Sequence, residues 1–565
     1  MANFCPYKCI SHYFLVILLF SISSASVKFP DNFLFGASSS AYQIEGGWNE
    51  DGKSKSIWDE LYHSSNNATN QNYFSIPFNK YAFSFIKNHK YKFIGIQKDN
   101  LFFQNLSPEP ISRFHNPLED DSVLLNGDVA CDSYHKYEED IKLLKELGVK
   151  VYRFSLSWPR ILPKGQDHTI NQDGVDYYHK VIDLLLANNI EPLVTIYHWD
   201  LPQSLQVIGG WANKNIIKYY VNYANFVFKT YGNKVKYWTT INEPRMISEG
   251  YGGNYPDAPH LGEAYSGIAD YMTIHNLLLA HARAYRLYER NFKTKQKGEI
   301  CICFDTLWGF PNDENSEDDK KSAQLLLDAY VGLFVEPLVT GEFPKSYLES
   351  IKDTNKKKNI NIWRLIPYTE DEKELIIGSY DFISVNYYHS LNVTAMTEAG
   401  IYDPNNDLKT IDQRAITPSW DEKEELQDIV LGFRNVMRFL NDTFGKISDI
   451  REPKFFISEN GLADDSEINK NKIEYHQAIL TETKNLIDDG VNIIGYSVWS
   501  LMDSFEWVSP STSKYGIYKV DFRDPDRPRT KKPCVEYFKY VFQNKTLPDI
   551  STIPDFSYKN INSLI

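Results

Sequence analysis

The sequence predicts an α/β fold, a single (β/α)8 barrel of the TIM type. Three observations lead there. From Asn126 onward, short apolar runs alternate with longer stretches of helical spacing, the alternation that a parallel sheet requires. Eight strand-like runs occur, the number that closes a barrel. Each run starts apolar and ends polar or aromatic, as at Gln43, Arg153, His198-Trp199, Asn242-Glu243, Asn386, Glu459 and Glu506. In a barrel the carboxyl ends of all strands meet on one face, where active sites sit, so residues far apart in sequence would converge there.

The elements follow in order. FLFGASSSAYQIEG (33–46) is the first predicted strand. YEEDIKLLKELG (137–148) has apolar residues at helical spacing and ends at glycine. VKVYRFSLSW (149–158), EPLVTIYHWD (191–200), KVKYWTTINEP (234–244) and GEICICFDTLW (298–308) read as strands. Between them VDYYHKVIDLLLANN (175–189), residues 213–232 and residues 271–290 read as helices. The last strands are YDFISVNYY (380–388), PKFFISENG (453–461) and a long run, 492–507. No internal repeat is found.

With 565 residues the chain has length for several domains, but α/β barrels run long as single units. At 42% hydrophobic and 24% charged, the composition is globular. The formal net charge of −14 argues against a nucleic-acid partner, which usually meets a basic face. Residues 1–26 resemble a secretory signal: Lys8, a short apolar stretch from Tyr13 to Phe20, then Ser24-Ala25-Ser26. A secreted, extracellular protein is therefore expected, with no lasting membrane association once the signal is removed. Sequons begin at Asn67, Asn105, Asn392, Asn441 and Asn544. Of six cysteines, Cys131, Cys301, Cys303 and Cys534 lie beyond the signal, and no CxxC pair suggests a zinc site or a disulfide scaffold. No phosphate loop or HExxH occurs; YGGNYPD (251–257) reads as a loop, and His275 and His281 as core histidines. Neither cofactor nor metal is expected. Oligomeric state is not readable.

The barrel domain is expected over 27–548, followed by a tail, 549–565. Residues 66–125 break the pattern, being rich in Asn, Phe, Lys and Tyr without periodicity. An insertion of that size inside a compact domain argues against itself. It reads either as a loop near the pocket mouth or as sequence foreign to the mature protein, such as translated intron. The second is favoured, since so many patternless aromatics would promote aggregation.

Two strand-end glutamates carry the chemistry, Glu243 in TTINEP and Glu459 in ISENG. Hydrolysis of a glycoside needs two carboxyl groups flanking the scissile bond, about 5 Å apart when configuration is retained. One gives a proton to the leaving oxygen, and the other, ionised, attacks the anomeric carbon. Like charges at short range push the two pKa values apart and so assign the roles. Either glutamate alone would read as an exposed loop residue, and Glu45 reads as structural.

FPDNFLFGASSSAYQIEGGWNEDGKSKSIWD, YRFSLSWPRI, HWDLPQSL with GGW, TINEP, NYY, ISENG and WSLMDSFEW, in this order, resemble the family-1 glycoside hydrolases, the β-glucosidase family. The resemblance spans about Phe29 to Phe542. It implies Glu243 as acid/base and Glu459 as nucleophile, with Arg153 and Tyr388 bonded to the nucleophile. Asn242 would touch the sugar 2-hydroxyl, while Gln43, His198, Trp199, Glu506 and Trp507 would bond the other hydroxyls. Trp499 would lie under the sugar ring, and Asn386 and Tyr515 would complete the pocket. VSPSTSKYGIYKVDF after Trp507 and DAPHLG (257–262) depart from the family's common pattern, on the side of the aglycone.

The function expected is a retaining exo-β-glycosidase acting on O-glycosides. Its small-molecule substrate would be a β-glucoside, or a galactoside or fucoside. A thioglucosidase acting on glucosinolates is the close alternative; it would need a sulfate-binding cation, for which Arg245 is the candidate. A non-catalytic sugar-binding relative is the alternative of another class, disfavoured because both glutamates are present. Hydrolysis and transglycosylation share one intermediate and are not separable from sequence.

Overall fold

The structure, a computed structural model, describes residues 27–65, 126–166, 168–253, 257–418, 424–446, 452–466, 468–509 and 513–549. The expected signal (1–26), the insertion (66–125) and all but the first residue of the tail lie outside these residues.

Eight parallel strands close into a barrel: β1 Leu34–Ser38, β2 Val151–Ser155, β3 Glu191–Tyr197, β4 Tyr237–Asn242, β5 Glu299–Pro311, β6 Ile383–Ala395, β7 Phe455–Glu459 and β8 Ile493–Trp499. Each pairs with the next, and β8 returns to β1, with Leu34 opposite Gly495 and Ser38 opposite Trp499. The predicted helices form at Ser133–Leu147, Gln172–Ala187, Ile216–Tyr231 and Ala269–Asn291. The apolar run Glu317–Thr340 would be long enough to cross a membrane, but it is largely buried here and packs on β5 and β6.

Most of the strands are shorter than the predicted runs, and in the first and last the difference moves site residues well off the strand. After β1 the chain turns into a short helix, Ala41–Ile44, so Gln43 reaches the site from a helix and not from a strand end. β8 stops at Trp499, and Glu506 and Trp507 lie in the loop beyond it. YGGNYPD is only partly loop: Tyr251 and Gly252 finish the helix Pro244–Gly252. His281 and His275 are core residues, His281 Nδ1 lying 2.7 Å from Thr240 Oγ1 and His275 Nδ1 3.1 Å from the Ile366 carbonyl. The four cysteines among the described residues are buried thiols, with no disulfide between them.

The barrel interior changes character along its axis. At the amino-terminal ends Val151, Leu193, Cys301, Phe382 and Phe456 pack into an apolar plug. Two residues further along each strand, on the same face, stand Arg153, Thr195, Cys303, Ser384 and Ser458, all buried and hydrogen-bonded. A polar floor therefore lies on an apolar base, and the site is built on that floor.

Glu45 is structural, as expected. Its Oε2 accepts from Arg160 Nε at 2.9 Å and its Oε1 from Tyr178 OH at 2.5 Å, which ties the loop after β1 to the β2 side. The Arg160 guanidinium also stacks 3.9 Å from the Tyr134 ring. Removing one partner of a buried pair strands the other charge, at a cost of about 3–5 kcal/mol. Glu45→Gln should therefore lower the urea midpoint of unfolding clearly while folded protein keeps its activity. An unchanged midpoint would show that the pair contributes nothing net.

Candidate active site

The mouth of the barrel gathers its polar side chains through irregular strand pairing. On β4, Thr239 points inward to Cys301 and Thr240 outward to His281. The β4–β5 register then shifts between Thr239 and Asn242, and Asn242 faces inward again. On β7, Ser458 and Glu459 both face inward, where the β6–β7 register shifts between Val385 and Asn386. Such bulges re-aim side chains, and here one precedes each of the two glutamates. Glu243 itself adopts left-handed backbone, φ 46°, at the start of the helix Pro244–Gly252, and Trp199 (φ 76°) and Trp507 (φ 46°) do the same. Each costs about 1 kcal/mol or more, and such strain concentrates at functional sites.

Arg153 is wholly buried at the centre. Its Nη1 donates to Glu459 Oε1, its Nη2 to Asn242 Oδ1 at 2.6 Å and its Nε to Thr195 Oγ1 at 2.9 Å. Tyr388 OH donates to Glu459 Oε2 at 2.7 Å, so each oxygen of this carboxylate has a donor. Glu243 has different company: Asn386 Nδ2 donates to its Oε1 at 2.7 Å and also reaches Asn242 Oδ1 at 3.2 Å. The two carboxyl groups are thus joined by a continuous path through Asn386, Asn242 and Arg153. Burial first, then the negative charges of Glu459 and Asp305, push the Glu243 carboxyl well above the usual carboxylate range; Asn386 and Arg245 oppose this. The surroundings of Glu243 thus favour its protonated form, whereas Glu459 is an ion-paired acceptor.

The remaining predicted residues surround this pair. Burial and the Arg153 charge hold His198 well below the usual imidazole value, so its ring is neutral. Its Nε2 lies 3.2 Å from Asn242 Nδ2, which makes Nε2 the acceptor and places the proton on Nδ1. Gln43 Nε2 donates to Glu506 Oε2 at 3.2 Å and to the Phe505 carbonyl at 2.9 Å. Burial, then the Glu459 charge, pushes Glu506 up to about 8. Trp199 differs from expectation: its indole N–H donates to the Asn242 carbonyl at 3.0 Å and is taken up within the protein. What it offers a ligand is its ring, which packs 4.5 Å from Trp507. Trp499 and Trp507 lie nearly parallel to the His198 ring at 6.2 and 6.0 Å, so flat apolar surfaces stand beside hydrogen-bonding groups. Faces of that kind suit sugar C–H, as the polar groups suit hydroxyls. Tyr515 meets Tyr388 edge-on at 5.8 Å.

Sequence reading missed Thr195, Ser458, Cys303 and Asp305. Three of them stand in the second inward layer above the plug and Asp305 in the third, a placement that period-2 counting along the strands could have found. Among the described residues, no three His, Cys, Asp or Glu side chains group as metal ligands do.

The glycosyl hydrolase family 1 model matches residues 25–85 and 113–547. The chain is 36% identical to Myrosinase 1 of Brevicoryne brassicae, covering 91% of this chain and 98% of that protein. It is 33% identical to human cytosolic beta-glucosidase, covering 92% and 99%. The solved structure of an aphid myrosinase superposes with a TM-score of 0.75 at 35% identity, over 92% of this chain and all of that one. A closed barrel with two carboxyl groups over a polar floor, matched along almost its full length, makes this chain a glycoside hydrolase that belongs to glycosyl hydrolase family 1.

Proposed function

We propose that this enzyme is a retaining exo-β-glycosidase acting on β-glucoside-like O-glycosides, with Glu459 as nucleophile and Glu243 as acid/base. The observation that carries the reading is the asymmetry of the pair. Glu459 holds an arginine and a phenol on its two oxygens, whereas Glu243 is buried beside that negative charge. Glu459 attacks the anomeric carbon as the bond to the aglycone breaks, and the proton of Glu243 passes to the departing oxygen. Once Glu459 is esterified its charge is gone, and with it one reason for Glu243 to hold a proton. Asn386 and Arg245 then favour the carboxylate. Glu243 takes a proton from water, the water oxygen attacks the anomeric carbon, and Glu459 leaves as a carboxylate.

The similarity to a myrosinase gives the thioglucosidase reading a hearing. Arg245, the candidate sulfate partner, argues against it. Its guanidinium donates to Asp305, stands 3.4 Å from Glu249 and lies over the Tyr330 ring at 4.2 Å; Glu249 in turn pairs with Lys409. Both cations of this wall are already neutralised, so a sulfated aglycone would meet carboxylates.

Glu459→Gln should lower turnover of p-nitrophenyl β-glucoside by about 10³-fold or more, about 4 kcal/mol of transition-state stabilisation. Full activity in folded Glu459→Gln protein would remove the nucleophile assignment. Glu243→Gln should cost about 10²–10⁴-fold in kcat/KM on alkyl glucosides and far less on dinitrophenyl glucoside, whose leaving group needs no proton. It should also abolish the fall in kcat/KM on the alkaline side: the raised pKa extends the protonated form of Glu243 to higher pH than an ordinary carboxyl, and the acid is lost as pH climbs through it. For a sulfated glucosinolate, kcat/KM should fall about 10–100-fold below the O-glucoside, the worth of one charged hydrogen bond; equal or better turnover would favour the thioglucosidase reading.

A further inference from the structure

The Asn386 amide bonds Glu243, and its own orientation needs a cause. Its two N–H groups go to Glu243 Oε1 and Asn242 Oδ1. Its oxygen accepts from Ser458 Oγ at 2.7 Å and from Cys303 Sγ at 3.1 Å. Ser458 has one proton to give. Its oxygen already accepts from Ser384 Oγ at 2.7 Å, and of the three atoms that its proton can reach, Asn386 Oδ1 at 2.7 Å is nearer than Cys303 Sγ at 3.2 Å or the Val385 carbonyl at 3.3 Å. The Cys303 thiol stays a donor because burial, the largest influence on it, pushes its pKa well above the usual thiol value; Ser458 Oγ, 3.2 Å away, is taken up by the Ser384 proton, which leaves Asn386 Oδ1 as the thiol's nearer acceptor. Turned over, the amide would set its oxygen against two acceptors and its N–H groups against two donors. An amide does not bind in that arrangement, because its buried donors and acceptors would all be left without partners.

We infer that Cys303 and Ser458 are positioning residues for the acid/base. By donating to Asn386 Oδ1 they hold the Asn386 N–H on Oε1 of Glu243, so that the transferable proton is carried on Oε2. This rests on the assignment of Glu243 as acid/base. An oxygen that accepts the Asn386 N–H is poorly placed to hold the proton as well, so the arrangement selects which oxygen faces the leaving group. Neither Cys303 nor Ser458 bonds either catalytic glutamate through its side chain. The charged groups around Glu243 are Glu459, Asp305, Arg245 and, through Asn242, Arg153.

The test compares Ser458→Ala, Cys303→Ala and Cys303→Ser with the parent enzyme on an alkyl β-glucoside and on dinitrophenyl β-glucoside. Each substitution is equal to or smaller than the native side chain. Removing a donor should lower kcat/KM on the alkyl glucoside about tenfold and leave the dinitrophenyl glucoside nearly unchanged. Losing the Asn386 N–H removes a contact that favours the Glu243 carboxylate, so the alkaline limb should move to higher pH, by about half a unit or more. Cys303→Ser, which keeps a donor, should restore both readouts. Parallel losses on the two substrates with an unmoved limb, or Cys303→Ser behaving like Cys303→Ala, would overturn the inference. If Glu243→Gln itself spares alkyl glucosides, the assignment of the acid/base fails, and that result is distinguishable from failure of the positioning role.

Discussion

One buried guanidinium organises this active site. Arg153 lies in the barrel floor with no contact to solvent, and a bare charge there would be untenable. Three acceptors from three other strands, Thr195, Asn242 and Glu459, satisfy it. That requirement settles much else. Glu459 must face inward to meet the charge. Asn242 must turn its oxygen to the arginine, which leaves its amide nitrogen for His198 and so sets the imidazole tautomer. Burial and, after it, the same positive charge depress the pKa of His198.

The floor also explains why two carboxyl groups in one small space behave differently. Glu459 sits over the cation and accepts from Tyr388, whereas Glu243 sits to one side with an amide, in reach of the Glu459 and Asp305 charges. Their different surroundings follow from position and not from residue type. Glu506, pushed up to about 8 beside Gln43, is a third acid whose state depends on the charge of Glu459. Any step that neutralises Glu459 therefore changes the proton affinity of its neighbours in the same direction.

Beneath the charged layer lies a quieter one. Ser384, Ser458 and Cys303 stand between the apolar plug and the site, and their hydrogen bonds run from Ser384 to Ser458 and from Ser458 and Cys303 to the Asn386 amide. Beside Glu243 the ion pairs run in an open chain, Asp305–Arg245–Glu249–Lys409, in which both cations are paired with carboxylates.

By itself the sequence determined the architecture and the cast. Eight apolar runs and the helices between them were legible because each is a local pattern, period 2 or 3.6, that a buried face imposes on its own segment. The strand-end glutamates, Arg153 and Asn386 were legible because a polar residue closing an apolar run is a local anomaly. Where the reading slipped, apolar composition outlasted the strand: Gln43 sits on a short helix and Glu506 and Trp507 on a loop, since aromatic loops are as apolar as strands. Only the tertiary structure decided which groups meet. The register shifts that aim Asn242 and Glu459 inward arise from pairing between strands hundreds of residues apart, which no single segment encodes. For the same reason Trp199 spends its N–H on Asn242, Arg245 is tied up by Asp305, and Cys303 bonds an amide. Hydrogen-bond partnership is a property of the closed barrel, where distance in space and distance along the chain have little to do with each other.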